Sequence, residues 1–180
     1  MEYIEQSIKG VYVIIPKRYG DDRGYFSETF RQYEFNWAVG ATNFMQDNES
    51  YSTKGVLRGI HFQSGEFAQA KLVRVVEGAV LDVAVDLRKD SPTFGKYVAV
   101  ELSAENGKQL FIPRGFGHAF LVLSDKAKFI YKVDNEYAPQ YEGSIKYNDP
   151  DINIQWPEME VKLSEKDTKG ISLQEYKQKY

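Results

Sequence analysis

Lys71-Leu72-Val73-Arg74-Val75-Val76-Glu77-Gly78-Ala79-Val80-Leu81-Asp82-Val83-Ala84-Val85-Asp86-Leu87 decides the fold class of this chain. It is dense in valine and leucine, residues that suit a pleated, half-buried surface. Residues 72–77 and 79–87 read as two strands around Gly78, and a hairpin is expected there. In the second strand Leu81, Val83, Val85 and Leu87 alternate with Asp82, Ala84 and Asp86. That period of two puts an apolar row on one face and two carboxylates on the other.

The pattern continues outward in both directions. Upstream, residues 10–15 form a strand closed by Pro16, and residues 20–24 form a turn by composition. The turn opens onto residues 25–30, where Phe26 and Glu28 share a face. Residues 31–39 are the one early candidate for a short helix, and the polar cluster at 46–50 reads as a loop. Downstream, strands are expected at 97–102, 109–112, 116–123 and 128–133, with loops or turns at 90–95 and 103–107. The polar tail at 164–180 reads as partly helical. Short strands punctuated by turns about every eight to twelve residues imply an all-β sandwich or barrel. No long helix and no strand–helix alternation supports a parallel α/β fold.

At 180 residues, with 42% hydrophobic and 27% charged side chains, the chain is expected to form one globular domain over residues 1–180. A domain of that size buries roughly 70% of its unfolded surface. A net charge of −3 argues against a general nucleic-acid or membrane surface, although a local cationic pocket is compatible with it. Cysteine is absent, which excludes disulfides, a thiol nucleophile and a cysteine-based metal site. Met1-Glu2-Tyr3-Ile4-Glu5 lacks the basic start and apolar core of a signal peptide. No apolar run nears the roughly 20 residues that a membrane helix needs, so a cytoplasmic protein is expected.

The chain has two histidines, His61 and His118, each inside a run of β-prone residues. His61 lies in Val56-Leu57-Arg58-Gly59-Ile60-His61-Phe62-Gln63, with Arg58 before it and Lys71 after a short glycine-containing connection. Fixed cations near an imidazole favour its neutral, proton-accepting form. Gly55 precedes His61 by six residues, and Gly107 precedes Pro113 by six in the segment that leads to His118. These spacings resemble the two motifs of the cupin superfamily of small jelly-roll barrels. Many cupins bind a metal through two histidines and a glutamate in the first motif and one histidine in the second. Here Gln63 replaces the second histidine, Glu66 falls short of the glutamate spacing, and Val122 stands where an asparagine is usual. Two ligands are too few for a transition-metal centre, so a metal-free barrel is expected.

The resemblance narrows further. Residues 20–26, Gln46-Asp47-Asn48, residues 56–63, Lys71-Leu72-Val73-Arg74, residues 82–88 and Ser91-Pro92-Thr93-Phe94-Gly95 match one family in order. Over nearly its whole length the chain resembles the dTDP-4-dehydrorhamnose 3,5-epimerase family. Such enzymes invert C3 and C5 of a dTDP-4-keto-6-deoxy sugar, whose C–H bonds are acidified by the adjacent ketone. The chemistry needs a base on one face, stabilisation of an enolate at O4 and an acid on the opposite face, with no redox cofactor or metal.

The resemblance implies that His61 is the base, Asp167 its carboxylate partner, Lys71 the group facing O4 and Tyr131 the proton donor. Read from the residues alone, Asp167 also forms a helix capping box with Ser164, and Asp82 competes for the role of His61's partner. Tyr131 shares a face with Phe129 and Val133, as a core tyrosine would. His118 shares parity with Phe120 and Val122, so it should point into the barrel and make a polar contact. By resemblance Arg23 and Arg58 bind the diphosphate, for which guanidinium forks are suited, and Tyr137 stacks on the base. The usual pattern before Tyr137 has a tyrosine where this chain has Glu136. Phe26, Glu28, Gln46, Asn48, Glu142 and Lys166 match further ligand-contacting positions. Arg23, Phe26 and Glu28 approach the site from a neighbouring subunit in the family, which implies a homodimer. Arg58 and His61 have opposite parity in a regular strand, so either a bulge intervenes or Arg58 reaches in from the strand end.

Three alternatives follow from the same residues. A C3-only or C5-only epimerase would keep the same catalytic groups. A non-catalytic sugar-nucleotide-binding barrel would not need His61, Lys71 and Tyr131 together. A metal-dependent cupin is disfavoured by Gln63. Epimerase activity is therefore expected to survive exhaustive EDTA treatment. A stoichiometric bound transition metal whose removal and return track turnover would overturn the metal-free expectation.

Overall fold

The alternation of apolar and polar residues places thirteen strands in order, with three short α-helices at the margins. A computed structural model describes all of residues 1–180. The strands are β1 (Glu2–Glu5), β2 (Tyr12–Ile15), β3 (Arg18–Asp21), β4 (Gly24–Ser27), β5 (Gln46–Thr53), β6 (Leu57–Gln63) and β7 (Lys71–Glu77). They continue with β8 (Ala79–Asp86), β9 (Tyr97–Ser103), β10 (Gln109–Ile112), β11 (Phe116–Val122), β12 (Lys126–Val133) and β13 (Glu142–Ser144). The helices are α1 (Gln32–Ala38), α2 (Glu165–Thr168) and α3 (Leu173–Lys179). No helix is long and apolar enough to cross a membrane.

Two antiparallel sheets face each other as a jelly-roll barrel. One has the order β1-β2-β10-β7-β12-β5 and the other β13-β6-β11-β8-β9. Between them Val73, Val75, Val80, Leu110, Phe120 and Phe129 form the largest buried cluster. The outer face of the five-stranded sheet is covered by the C-terminal segment, which packs Ile145, Ile152, Leu173 and Tyr176 on Ile60, Phe62, Val83 and Val85. The outer face of the six-stranded sheet receives Phe35 of α1 over Leu72 and Phe111. Burial on both faces explains why β8 lacks a solvent side. Even its carboxylates, Asp82 and Asp86, are fully buried.

Two expectations are corrected. Strands β7 and β8 do not form a hairpin: β7 pairs with β10 and β12, whereas β8 pairs with β9 and β11. Gly78 carries the chain from one sheet to the other. It has φ +77°, and a Cβ there would lie 1.9 Å from the Lys126 carbonyl oxygen, so only glycine fits. The polar cluster at 46–50 is not a loop but the start of β5, which pairs with β12 along its whole length. It is an edge strand with Asp47, Glu49, Tyr51 and Thr53 exposed on one face and the polar Asn48, Ser50 and Ser52 partly or fully buried on the other, so the apolar alternation that marks other strands is missing.

Strands β3 and β4 form a separate two-stranded hairpin, turned at Asp22 and Arg23. Its Tyr19, Tyr25 and Phe26 side chains are exposed. At its base Arg18 donates to the carbonyls of Ala104 and Glu105 and lies over the Tyr25 ring.

The family-matching run from Asp86 to Gly95 proves to be architectural. Asp86 accepts from the Arg88 guanidinium at 2.7–2.8 Å, from Ser91 Oγ at 2.6 Å and from Thr93 Oγ1 at 2.7 Å. Burial alone would raise the Asp86 pKa, but these donors outweigh it and hold the carboxyl at about 2. Its folded pKa lies below the ordinary 3.8, so the stabilisation is complete above that value and is lost as pH falls through about 2. Asp86→Asn is expected to cost about 2 kcal/mol at neutral pH, with the gap from wild type closing in acid. Denaturant melts at a series of pH values measure this, and a gap constant down to pH ~2 would refute the account.

Candidate active site

Strand β6 brings the first chemistry into the barrel, and it does so through a bulge. His61 pairs with His118 of β11, but Arg58 pairs with Phe120, so three residues of β6 span what two of β11 span. The extra residue brings Arg58 and His61 to the same side, which resolves their opposite parity. Gly59 makes this possible. Its φ is +122°, and a Cβ there would lie 2.5 Å from both the Ala119 Cβ and the His118 carbonyl oxygen.

Facing a cleft of about 290 Å³ are His61, Gln63, Lys71, Tyr131, Gln46, Asn48, Tyr137 and Glu142. Phe62 and Gln69 complete the lining, and seven of these ten residues are candidate site residues from the sequence. His61 Nε2 lies 2.6 Å from Asp167 Oδ1, and the His61 side chain is 28% exposed while Asp167 is buried. Asp167 also accepts from the Gly59 N–H at 3.2 Å and from Ser164 Oγ at 2.5 Å. Burial would raise its pKa, yet the bonds from His61, Ser164 and Gly59 prevail and bring it to about 2. Asp167 therefore stays ionised and fixes the tautomer with the proton on Nε2, which leaves Nδ1 with a lone pair for the cleft. Ser164 is at the same time the N-cap of α2, accepting from the Asp167 N–H. The capping and dyad readings of this pair are thus one arrangement: the cap sets the backbone that aims the carboxylate.

Asp82 is not the partner of His61. Its Oδ1 lies 2.7 Å from His118 Nε2, so each imidazole has its own carboxylate. His118 does point into the barrel, stacked on Phe129 with centroids 5.9 Å apart. Burial lowers its pKa despite Asp82, and the nearby Lys71 and His61 lower it further. Lys71 is brought down to about 8 by burial, against the attraction of Asp82 and Glu142. Burial raises Tyr131, which remains a neutral hydroxyl at pH 7.

At the rim Glu142 binds Lys166 Nζ at 2.5 Å and the Tyr137 hydroxyl at 2.8 Å. Gln46 donates to Asn48 at 2.9 Å on β5. Arg58 is exposed, and its Nε donates to Ser52 Oγ at 3.2 Å. Arg23, Phe26 and Glu28 are not in the cleft. Arg23 is paired with Asp21 at the hairpin tip, Phe26 is 70% exposed, and Glu28 binds Arg31.

Two glutamines outside the expected site set hold the loop beside the cleft. Gln63 donates to the carbonyls of Phe67 and Glu136 and accepts from the Ala138 N–H. Gln69 donates to the carbonyls of Asn135 and Glu136. Together they hold the loop that presents Tyr137, and they do so through backbone groups, so the side chain of Glu136 is free to point to solvent. Gln63 had one visible signal, its shared parity with His61. Gln69 had none.

A cupin metal does not fit these residues. His61 and His118 are each committed to a carboxylate, Gln63 is turned to the backbone, and no three His, Asp or Glu side chains converge.

Comparison with known proteins agrees with this geometry. The sequence profile of dTDP-4-dehydrorhamnose 3,5-epimerase matches residues 5–175. A protein of that name from Shigella flexneri is 54% identical over 171 residues, 94% of each chain. The crystal structure of dTDP-4-dehydrorhamnose 3,5-epimerase from Elizabethkingia anophelis NUHP1 superposes with a TM-score of 0.93 at 48% identity, covering 97% of both chains. So does dTDP-6-deoxy-D-glucose-3,5-epimerase from Legionella pneumophila Philadelphia 1 in complex with dTDP-4-keto-L-rhamnose, at TM-score 0.93 and 48% identity over 96% of this chain and 93% of that one. With its barrel fold, its imidazole–carboxylate dyad and these matches end to end, the chain belongs to the dTDP-4-dehydrorhamnose 3,5-epimerase family.

Proposed function

We propose that this chain epimerises C3 and C5 of dTDP-4-dehydro-6-deoxy-D-glucose to give dTDP-4-dehydro-L-rhamnose, in dTDP-L-rhamnose biosynthesis in the cytoplasm. The observation that carries the reading is the His61–Asp167 dyad opening onto a cleft shared with Lys71 and Tyr131.

In this reaction His61 Nδ1 removes the proton from the carbon beside the C4 ketone. The electron pair left behind moves onto O4 as an enolate. Asp167 stabilises the imidazolium that forms. The Lys71 ammonium meets the charge developing on O4, where a preorganised cation is worth most. It is charged at neutral pH and loses its proton as pH rises through about 8, so turnover falls on that side. The Tyr131 hydroxyl gives its proton to the opposite face of the carbon, and burial keeps it protonated for that task. The same cycle at the second carbon completes the inversion. Arg23 and Arg58 bind the diphosphate, and Tyr137 stacks on thymine. Phe26, Glu28, Gln46, Asn48, His118, Glu142 and Lys166 line the remaining surface of the substrate.

Residues 1–180 act as one catalytic domain, and the active unit is a homodimer. Arg23, Phe26 and Glu28 lie away from the cleft of their own chain, on or beside a hairpin that exposes three aromatic rings. A second copy offers those rings a surface to cover and places the diphosphate-binding arginine at the neighbouring site. Sedimentation equilibrium should give a dimer, and Arg23→Ala should raise KM. A monomer with full activity would remove the hairpin from the site.

The reaction itself is tested by NMR of dTDP-4-keto-6-deoxyglucose in D2O, which reports exchange at C3 and C5 separately from product. Wild type should exchange and invert both centres; exchange at one centre alone would make it a single-centre epimerase, and exchange at neither would leave a binding protein. Tyr131→Phe should still wash deuterium in through His61 while net inversion falls far more. Asp167→Asn should lower kcat by about two to four orders of magnitude with little change in substrate affinity. Inversion at the wild-type rate by Tyr131→Phe would return that residue to the core and place the acid elsewhere.

A further inference from the structure

The barrel holds a second imidazole–carboxylate pair to which the reaction above gives no chemical step. Asp82 on β8 is fully buried, and His118 Nε2 lies 2.7 Å from its Oδ1. His118 cannot swing away easily, because its ring stacks on Phe129 at 24° between planes. One carboxylate oxygen is thus fixed. The other, Oδ2, is buried and has no hydrogen-bond partner. A carboxylate oxygen kept from water without a donor is among the costlier arrangements in a protein interior. Its presence beside a reactive cleft calls for a donor that is close but not locked in place.

The candidate for that donor is Lys71. It projects from β7 into the cleft shared with His61 and takes part in no ion pair. Its two acidic neighbours are Asp82 and Glu142, and Asp82 attracts it the more strongly. Glu142 is already engaged by Lys166 and Tyr137. We propose that the His118–Asp82 pair is the positioning device for Lys71: His118 fixes Asp82, and the free Oδ2 holds the Lys71 ammonium charged and directed at the substrate's carbonyl oxygen. The inference rests on the assignment of Lys71 to O4. It makes Asp82 and His118 positioning residues and not catalytic ones.

The charge balance around Lys71 supports this division. Asp82 faces it from β8, His118 from β11, His61 from β6, Tyr131 from β12, Glu142 from β13 and Lys166 from α2. The partner position on β10 is Ile112, which adds no charge. Lys166 repels the ammonium and burial disfavours it. His118 is buried and resists protonation, so it orients Asp82 without adding a competing positive charge. Removing Asp82 leaves Glu142 as the sole acid attracting Lys71, and Glu142 is shared with two other donors.

The test follows Lys71 directly, by NMR titration of protein labelled with 13C at the lysine ε carbons and assigned with Lys71→Arg. Lys71 should titrate near 8 in wild type and lower by roughly one unit or more in folded Asp82→Asn, as expected for loss of a nearby opposite charge. The alkaline limb of kcat/KM should move down with it, and Asp82→Glu should restore part of both. A Lys71 titration unchanged in Asp82→Asn overturns the proposal. A second arm needs no change at Asp82. In wild type labelled at the aspartate carboxyl carbons, one buried resonance should report an inflexion matching that of Lys71, and Lys71→Met should abolish it. The absence of any such aspartate signal also overturns the proposal. The two NMR titrations are read without turnover. An inactive wild-type protein would therefore sink the assigned reaction while leaving this coupling intact, and a missing coupling would leave the reaction standing.

Discussion

The active centre depends on one backbone crossing, where β6 passes β11 at Gly59. No side chain fits there, since a Cβ would meet Ala119 and the His118 carbonyl at 2.5 Å. That closeness lets three residues of β6 span two of β11, and so brings Arg58 and His61 to one side. The Gly59 N–H then donates to Asp167, the carboxylate that also holds His61. A single glycine thereby couples β6, His61 and a C-terminal helix more than a hundred residues away in sequence. Any larger residue would push β6 from β11 and separate the groups it aligns.

Around that crossing the barrel distributes acids so that each has a defined task. Asp167 is saturated by His61, Ser164 and Gly59, which keeps it ionised and the imidazole in one tautomer. Asp86 is saturated by Arg88, Ser91 and Thr93 and serves only to shape a loop. Glu142 joins Lys166 to Tyr137 at the rim. Asp82 differs from these in keeping an oxygen without a partner. The difference matters because a buried oxygen without a donor is costly, and a nearby mobile cation is the group that can offset that cost.

The fold was legible in the sequence wherever a strand has one apolar face and one polar face, or a glycine or proline to end it. Residues 109–112, stopped by Pro113, agree with β10, and α1 falls within the expected 31–39. The fold was not legible at β5, whose covered face is built from the polar Asn48, Ser50 and Ser52, or at Gly78, where a turn between two strands looks the same whether they pair or part. Neither failure could be repaired locally. Pairing is decided by which strand lies alongside, and that is a property of the whole barrel.

By itself the sequence determined the all-β class, the two histidines, the shortage of metal ligands and, through its run of family-like motifs, the family to which the chain belongs. The tertiary structure alone decided which carboxylate belongs to which imidazole. Asp82 and Asp167 are chemically alike, and both were open as partners of His61. The bulge at Gly59 and the cap at Ser164 bring Asp167 to 2.6 Å from His61, while the β8–β11 pairing brings Asp82 to His118. The physical reason is range. Residue type and periodicity act within a strand, but a hydrogen bond between residues 61 and 167 exists only once the barrel has closed around them.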